Sequence, residues 1–135
     1  MISQDHAELL LEYYKENKTH LARWEPKRDA EFYTVDHWKE YTACAEKAQE
    51  FEREYRFIAM TLDRRKVIAV CNLFGVTRCA FQACYLGYSI AEKYEGQGLM
   101  FEILEPVIEH MLQEVGLHRI MANYIQTNER SGRLL

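Results

Sequence analysis

Two glycines in the last third of the chain, Gly96 and Gly98, separate two stretches with different hydrophobic periods. Residues 81–91 are rich in aromatic, β-branched and small side chains, which predicts a buried strand. From Leu99 onward the apolar residues follow the spacing of a helix. A helix entrance suits an anion because its first amides have no internal partner, and glycines let a phosphate come close. The stretch therefore predicts an anion-binding turn between a strand and a helix.

Two known phosphate-binding patterns do not fit this turn. The P-loop pattern Gly-x-x-x-x-Gly-Lys-Ser/Thr is absent. The dinucleotide pattern Gly-x-Gly-x-x-Gly fails because Phe101 stands where the third glycine is required. A short glycine pattern is also compatible with a plain strand-to-helix turn that binds nothing. The residues around the turn are therefore needed to distinguish a binding role of the turn from a structural one.

Residues 95–100 resemble the motif [Gln/Arg]-x-x-Gly-x-[Gly/Ala] of GNAT acetyltransferases, which begins the helix after the fourth strand. Gly98 fits the central glycine, whereas Glu95 and Met100 depart from the first and last positions. Methionine in the last position resembles the branch of ribosomal-protein-alanine N-acetyltransferases. The resemblance is strengthened by residues 83–91, 118–124 and 128–132, and it covers nearly the whole chain.

This resemblance implies both a fold and an activity. The fold is mixed α/β (α+β): a single N-acetyltransferase domain over residues 1–135, incomplete at both ends, with a mostly antiparallel, splayed central sheet flanked by helices. The activity is transfer of acetyl from acetyl-CoA to the N-terminal alanine of a small-subunit ribosomal protein, in a ternary complex. Two alternatives stay open: acetylation of another N-terminus or a small-molecule amine, and a non-catalytic module that binds acetyl-CoA or the ribosome.

The resemblance places acetyl-CoA along the loop and the strand before it. Main-chain N–H groups of residues 97–100 are expected to hold the pyrophosphate, while the Glu95 side chain turns to solvent. The pantetheine arm is expected to pair with residues 88–90, where the Ile90 N–H faces the thioester oxygen as an oxyanion donor. The expected cofactor-binding residues are Tyr88, Ser89, Ile90, Glu95, Gly96, Gln97, Gly98, Leu99, Met100, Asn128 and Ser131.

Asn128 and Ser131 stand three residues apart at the start of a predicted helix. Asn128 suits an N-cap, and the resemblance also gives it a bond to the pantetheine arm. Ser131 is expected near the sulfur, as a proton donor to the departing thiolate, so the expected catalytic groups are Ser131 and the Ile90 N–H. Basic side chains that either meet the 3′-phosphate or are ordinary solvated charges are Lys93, Arg130 and Arg133.

The acceptor site and the general base rest on fewer residues. A Trp-x-Pro segment begins at Trp24, and the resemblance places such a segment near the acceptor peptide, with a core or rim aromatic as the alternative. His118 is the nearest titratable candidate for a base, although a histidine that begins a strand is more often structural. The base proposed for this branch, a glutamate, is expected beyond Leu135.

The elements that would position these residues follow from periodicity and turn signals. A helix is predicted over residues 5–17, with Asp5 as N-cap and Glu8 as its capping-box partner. Thr34 is expected to cap a second helix that runs to about Phe51. The other elements are a hairpin of residues 54–62 and 66–76, a bend at Gly75, a helix that ends before Gly116, a strand at 118–125 and a final helix begun by Asn128.

Composition limits the class of protein. The 135 residues suffice for one domain. A net charge of −4 argues against nucleic-acid binding by bulk charge, and no apolar run is long enough to predict a membrane span. The first residues carry no signal-peptide pattern, which favours a cytoplasmic protein whose four cysteines are reduced and buried and which has no metal site. These features do not set an oligomeric state.

Overall fold

The hairpin predicted on either side of Asp63 forms, and it is half of a four-stranded sheet. The structure, a computed structural model, describes residues 1–135. The strands are β1 (Tyr55–Met60), β2 (Val67–Thr77), β3 (Ala83–Ile90) and β4 (Arg119–Ala122). The helices are α1 (Ala7–Glu16), α2 (Lys18–Leu21), α3 (Val35–Glu50), α4 (Leu99–Gln113) and α5 (Glu129–Leu134), with 3₁₀ turns at Gln4–His6, Glu31–Tyr33 and Glu92–Tyr94.

The sheet is mostly antiparallel and has the order β1-β2-β3-β4. β1 and β3 both run antiparallel to β2, whereas β4 runs parallel to β3. A parallel neighbour requires a crossover connection, and α4 supplies it. At the other edge, the Ile2 amide donates to the Arg56 carbonyl at 2.8 Å, so the first residues of the chain lie along β1.

Two helices, α1 and α3, cover one face of the sheet. Successive side chains of a strand point to opposite faces, so Val70 and Cys71 of β2 enter different cores. Val70 packs in one cluster with Leu10 and Tyr13 of α1 and Trp38 of α3. Each such buried apolar side chain stabilises the fold by about 1.5–3 kcal/mol relative to an exposed one.

The opposite face is covered by α4, with α5 at its edge. Cys71 and Leu73 of β2 pack there in one cluster with Leu104 and Met111 of α4, and Leu134 of α5 lies against it. The expected arrangement, a mostly antiparallel sheet with helices on both faces, is therefore confirmed. None of these helices has the length and apolar character needed to cross a membrane.

The two predicted helix caps have different outcomes. Thr34 caps α3 as predicted, because its side chain accepts a hydrogen bond from an amide of the first turn at 3.3 Å. The cap predicted for the first helix is wrong. A 3₁₀ turn precedes α1, and the N-cap of this turn is Ser3 rather than Asp5. The Ser3 amide donates to His6 Nδ1 at 2.9 Å, so His6 takes the reciprocal role predicted for Glu8.

The glycine predictions for turns hold, whereas the last strand is about half as long as predicted. Gly75 and Gly116 have φ values of 64° and 76°. The register between β2 and β3 shifts beside Gly75, and Gly116 follows the end of α4. The strand predicted at 118–125 ends at Ala122, because the chain leaves the edge of β3 there.

The four cysteines are free thiols, but only two of them are buried. Burial raises the pKa of Cys84 and raises that of Cys71 to about 12. Cys44 and Cys79 are exposed, so the prediction of four buried cysteines is wrong for these two. Cys44 lies on the outer side of α3, and Cys79 lies in the turn between β2 and β3.

Candidate active site

β3 is paired on both sides over its first half and on one side over its second half. Its pairing with β4 ends where Leu86 meets Ala122. Its pairing with β2 continues to the end, where Ile90 meets Ala69. Residues 87–90 therefore form a free edge in the middle of the fold, which is the splay that the resemblance implies.

The backbone direction along this free edge follows from the ladder. The Ala91 amide donates to the Ile68 carbonyl at 2.8 Å. In an antiparallel ladder the residues alternate between facing the partner strand and facing away from it. Tyr88 and Ile90 therefore direct their N–H groups away from β2, toward the side that β4 has left. Unpaired strand groups of this kind need another partner, such as a ligand or water.

The loop after β3 presents a second set of amides without an internal partner. None of the backbone amides of residues 96–100 donates to a protein acceptor. The carbonyl of Gly98 instead accepts from Phe101 and Glu102, at 3.0 and 3.3 Å, which starts α4. Consecutive free amides at a helix N-terminus form a positively polarised surface that suits an anion.

Glycine is required in this loop by backbone conformation. Gly96 and Gly98 have φ values of 71° and 78°, which other L-residues rarely adopt. A Cβ atom added to either glycine would meet nothing within 4 Å. The space above both residues is therefore open to a ligand.

One cavity of about 480 Å³ joins the free edge of β3 to the loop. Its walls also include Trp24 and Glu25, which follow α2, and Asn128 and Ser131 at the start of α5. Every expected cofactor-binding residue lines this cavity except Gln97, and Trp24 lines it as well. Gln97 is exposed, and its side chain donates to the Lys93 carbonyl at 2.9 Å, so only its backbone remains a candidate contact.

Ser131 is held by residues from two elements. Its Oγ lies 2.7 Å from the Tyr88 hydroxyl. Its amide donates to Asn128 Oδ1 at 3.2 Å, which confirms Asn128 as the N-cap of α5. Burial raises the pKa of Tyr88, so its hydroxyl stays protonated near neutral pH. The sequence pointed to Tyr88 for its backbone alone and missed this side-chain link to Ser131.

Glu95 does not turn to solvent, and that expectation is wrong. Its Oε2 pairs with Nη1 of Arg130 on α5, and its Oε1 lies 3.4 Å from His20 Nε2 on α2. The carboxylate is drawn inward because α2 and α5 bring these two nitrogens to the mouth of the cavity. Arg130 is thus engaged by Glu95, which competes with the expected contact to a 3′-phosphate, and Lys93 lies over the Tyr94 ring at 4.9 Å.

Trp24 lies at the rim of the cavity and outside both hydrophobic cores. Its amide donates to the Leu21 carbonyl at 2.9 Å, so the end of α2 fixes its backbone. For the alternative role as a core or rim aromatic, the structure agrees with the rim position and not with the core position. The acceptor role stays a prediction.

His118 does not reach the cavity. It is exposed immediately before β4, beside the residue that pairs with Ala83 at the start of β3. Ile90 lies seven residues further along β3, and at about 3.3 Å per residue the separation is roughly 23 Å. His118 is therefore not a base for chemistry at the free edge.

No group of three or more His, Cys, Asp or Glu side chains in the structure is arranged as a metal ion would require.

Two polar contacts from α1 and from Asn17, the residue that follows it, were absent from the sequence predictions and hold the free end of β3 and the residues after it. The Tyr13 hydroxyl lies 2.9 Å from Ser89 Oγ. Asn17 is buried; its Oδ1 accepts from the Glu92 amide at 3.0 Å, and its Nδ2 donates to the Tyr13 carbonyl at 2.8 Å. The only sequence signal was a tyrosine and an asparagine four residues apart on one helix face.

The acetyltransferase (GNAT) domain family matches residues 1–135 of the chain. The chain belongs to the GNAT acetyltransferase family. This family uses acetyl-CoA. The chain is 40% identical over 126 residues to the [ribosomal protein uS5]-alanine N-acetyltransferase of Escherichia coli K12, a match that covers 93% of this chain. It spans 65% of the length of that curated relative.

Two solved GNAT structures are closely similar to the whole chain. The ribosomal-protein-S5-alanine acetyltransferase of Vibrio fischeri superposes with a TM-score of 0.96 at 32% identity, over 100% of this chain and 74% of that one. Mycobacterium smegmatis RimJ, in complex with CoA-disulfide, superposes with a TM-score of 0.90 at 23% identity, over 99% of this chain and 65% of that one. The second likeness establishes only a shared fold.

Proposed function

We propose that residues 1–135 form one N-acetyltransferase domain, which transfers the acetyl group of acetyl-CoA to the N-terminal alanine of ribosomal protein uS5. The observation that carries the proposal is that the free edge of β3 and the partnerless amides of residues 96–100 open into one cavity. The names of the Escherichia coli and Vibrio fischeri relatives support the choice of acceptor. Such an acceptor would place the reaction in the cytoplasm, where ribosomal proteins are made.

The residues around the cavity fit the parts of acetyl-CoA. The amides of residues 97–100 would bind the pyrophosphate, because a helix entrance opened by glycines favours an anion. The free edge at residues 88–90 would pair with the amide groups of the pantetheine arm. Asn128 Nδ2 donates to no protein group, so it is available to the same arm while Oδ1 caps α5.

Acetyl-CoA supplies an already activated thioester, so the protein needs to position groups rather than provide a nucleophile. The Ile90 N–H would stabilise the negative charge that develops on the thioester oxygen. Ser131, polarised by its bond to Tyr88, would donate a proton to the departing thiolate. Cys84 takes no part, because it is buried within β3 and burial raises its pKa.

An N-terminal amine suits a site of this kind. A free α-amine has a pKa of about 7.7–8.0, so deprotonation near pH 7.4 costs only about 0.5 kcal/mol. A lysine side chain, with a pKa of about 10.4, would cost about 4 kcal/mol under the same conditions. The arrangement thus favours N-termini over lysine side chains.

Calorimetric titration with acetyl-CoA tests the loop assignment. Gly98→Asp places a carboxylate where the pyrophosphate would lie, and we expect acetyl-CoA to bind at least about 100-fold more weakly, which is about 2.7 kcal/mol. Gly116→Asp is the matched control, because Gly116 has a similar φ of 76° at the far end of α4. Equal affinity of the Gly98→Asp and Gly116→Asp proteins would show that the loop does not bind acetyl-CoA.

A peptide panel tests the acceptor. Peptides that begin with Ala, Ser or Met should distinguish the proposed acceptor from other N-termini. The uS5 proposal predicts the fastest turnover for a peptide that has the uS5 sequence and begins with Ala. Faster turnover of another N-terminus or of a small amine would favour the alternative acetyltransferase. Acetyl-CoA binding without turnover of any amine would favour the non-catalytic module.

A further inference from the structure

Two carboxylates line the cavity that we assign to acetyl-CoA, Glu25 and Glu95. Glu95 is engaged at both oxygens, by Arg130 and by His20. Glu25 has a single side-chain contact, in which Arg28 Nη2 lies 3.4 Å from Oε2. Its Oε1 has no protein partner and is available to a positively charged ligand.

The chain around Glu25 gives its side chain a defined position. The amides of Trp24 and Glu25 both donate to the Leu21 carbonyl, each at 2.9 Å, which fixes the segment to the end of α2. Pro26 follows and restricts the backbone of Glu25 to extended conformations. The side chain is only 23% exposed and lines the same cavity as Ser89 and Ile90. An unpaired carboxylate oxygen therefore shares a cavity with the candidate oxyanion donor.

The electrostatics agree with this placement. Burial raises the pKa of Glu25, and the Arg28 guanidinium opposes that rise. The charge of Glu25 in turn helps to raise the pKa of Tyr13, whose hydroxyl bonds to Ser89 at the free edge. The other titratable or charged groups near Glu25 or around the cavity are Tyr14 on α1, His20 on α2, Tyr88 on β3, Tyr94 and Glu95 between β3 and α4, and Arg130 and Arg133 on α5.

We propose that the Glu25 carboxylate binds the α-ammonium group of the acceptor and takes its proton; this inference rests on the proposed acetyltransferase function. One ammonium proton moves to Glu25, and the amine nitrogen forms a bond to the thioester carbonyl carbon. The C–S bond then breaks, and the second proton lost by nitrogen ends on the thiolate by way of Ser131. The products are the acetylated N-terminus, CoA thiol and one proton, which Glu25 releases to water.

Initial rates with an Ala-starting peptide test this role across pH. Glu25→Gln keeps the shape of the side chain but removes its charge, and Glu31→Gln is the matched control, because Glu31 is exposed and its side chain has no partner. We expect Glu25→Gln to lower kcat/KM by about 100-fold near pH 7. The deficit should shrink above pH of about 8, where the amine loses its proton without help.

Two further measurements make the outcome specific. Acetyl-CoA should bind wild type and Glu25→Gln equally in calorimetry, which excludes a folding defect, and Glu25→Asp should restore part of the rate. A deficit that is the same at every pH, or no deficit at all, would overturn the role of Glu25 and leave the proposed function standing.

A binding comparison separates this inference from failure of the proposed function. With CoA bound, so that no acetyl transfer occurs, wild type should bind the free peptide about tenfold more tightly than its N-acetylated form, and Glu25→Gln should lose that preference. If wild type shows the preference but never turns over, the ammonium site stands and the proposed function fails. If wild type shows no preference, the ammonium site is wrong whether or not turnover is seen.

Discussion

The two halves of β3 have the same neighbour on one side and different surroundings on the other. Residues 83–86 lie between β2 and β4, whereas residues 87–90 are paired with β2 alone. The first half is mostly buried in a core, and residues 88–90 of the second half line the cavity. One strand thus serves stability in its first half and ligand binding in its second, so substitutions in the two halves should affect different measurements.

Leu86→Ala in the paired half should have the largest effect on stability. Leu86 is 5% exposed and packs in the same cluster as Leu104 and Met111 of α4. Truncating a buried leucine of this kind costs about 2–5 kcal/mol of the free energy of unfolding. Urea denaturation would measure the loss, and the acetyl-CoA affinity of the folded variant should match that of wild type. A large loss of affinity with little loss of stability would break the division between the two halves.

The parts of the fold that the sequence could predict depend on residues that are close together in the chain. The hairpin, α3, α4 and the glycine turn follow from periodicity and turn residues within a few positions of one another, and the Asn128 cap is equally local. Contacts between distant polar groups leave no such pattern. The Glu95–Arg130 pair spans 35 positions and the Asn17–Glu92 bond spans 75. The inward turn of Glu95 and the role of α1 were therefore visible only in the folded chain.

The cap of the first helix shows a different limit. Asp5 and Glu8 have residue types and spacing that suit a capping box. Ser3 with His6 has the same spacing and occupies the role instead, since a 3₁₀ turn extends the helix start by one turn. Two overlapping caps cannot be ranked by local preference alone, because each would satisfy the orphan amides of its own first turn and the two first turns start only two residues apart. His118 could not be excluded as a candidate base from the sequence for a related reason. Its position in the chain did not show which end of the sheet it would occupy.

Asn17→Ala should affect the free half of β3 more than the fold as a whole. It removes the acceptor of the Glu92 amide, which holds the junction between β3 and the glycine loop. Leaving a buried donor without a partner costs about 1–3 kcal/mol. We expect acetyl-CoA to bind about tenfold more weakly, because the free edge and the loop lose their fixed relative position. Denaturation and calorimetry on the same variant would measure both effects.

Asn17→Asp is the matched variant for this contact. An aspartate still accepts from the Glu92 amide but cannot donate to the Tyr13 carbonyl, so it separates the two bonds that Asn17 makes. If the bond to Glu92 positions the loop, Asn17→Asp should keep most of the acetyl-CoA affinity while losing stability. Equal losses of affinity in the Ala and Asp variants would show that the bond to the Glu92 amide does not orient the loop.

The pH dependence of stability that arises from the Cys71 thiol tests whether the free half of β3 is open on one side only. It pairs directly with Tyr88 across β2 and β3 and is fully buried, and burial raises its pKa to about 12. In the unfolded chain the thiol ionises near pH 8.5, so stability from this group is complete below about pH 8.5 and is lost as pH rises toward 12. The expected loss by pH 10 is about 1–2 kcal/mol.

The Cys71→Ala variant isolates this small effect from the tyrosines that titrate at higher pH. Its stability should be lower than that of wild type at pH 7, and the difference between the two proteins should shrink as the pH approaches 10, because only wild type carries the titrating thiol. Urea denaturation at a series of pH values would measure that difference. A constant difference would mean that the native thiol ionises as easily as the unfolded one. Water would then reach the β2 side of residues 87–90, and the free half of β3 would be loosened on both sides rather than opened on one.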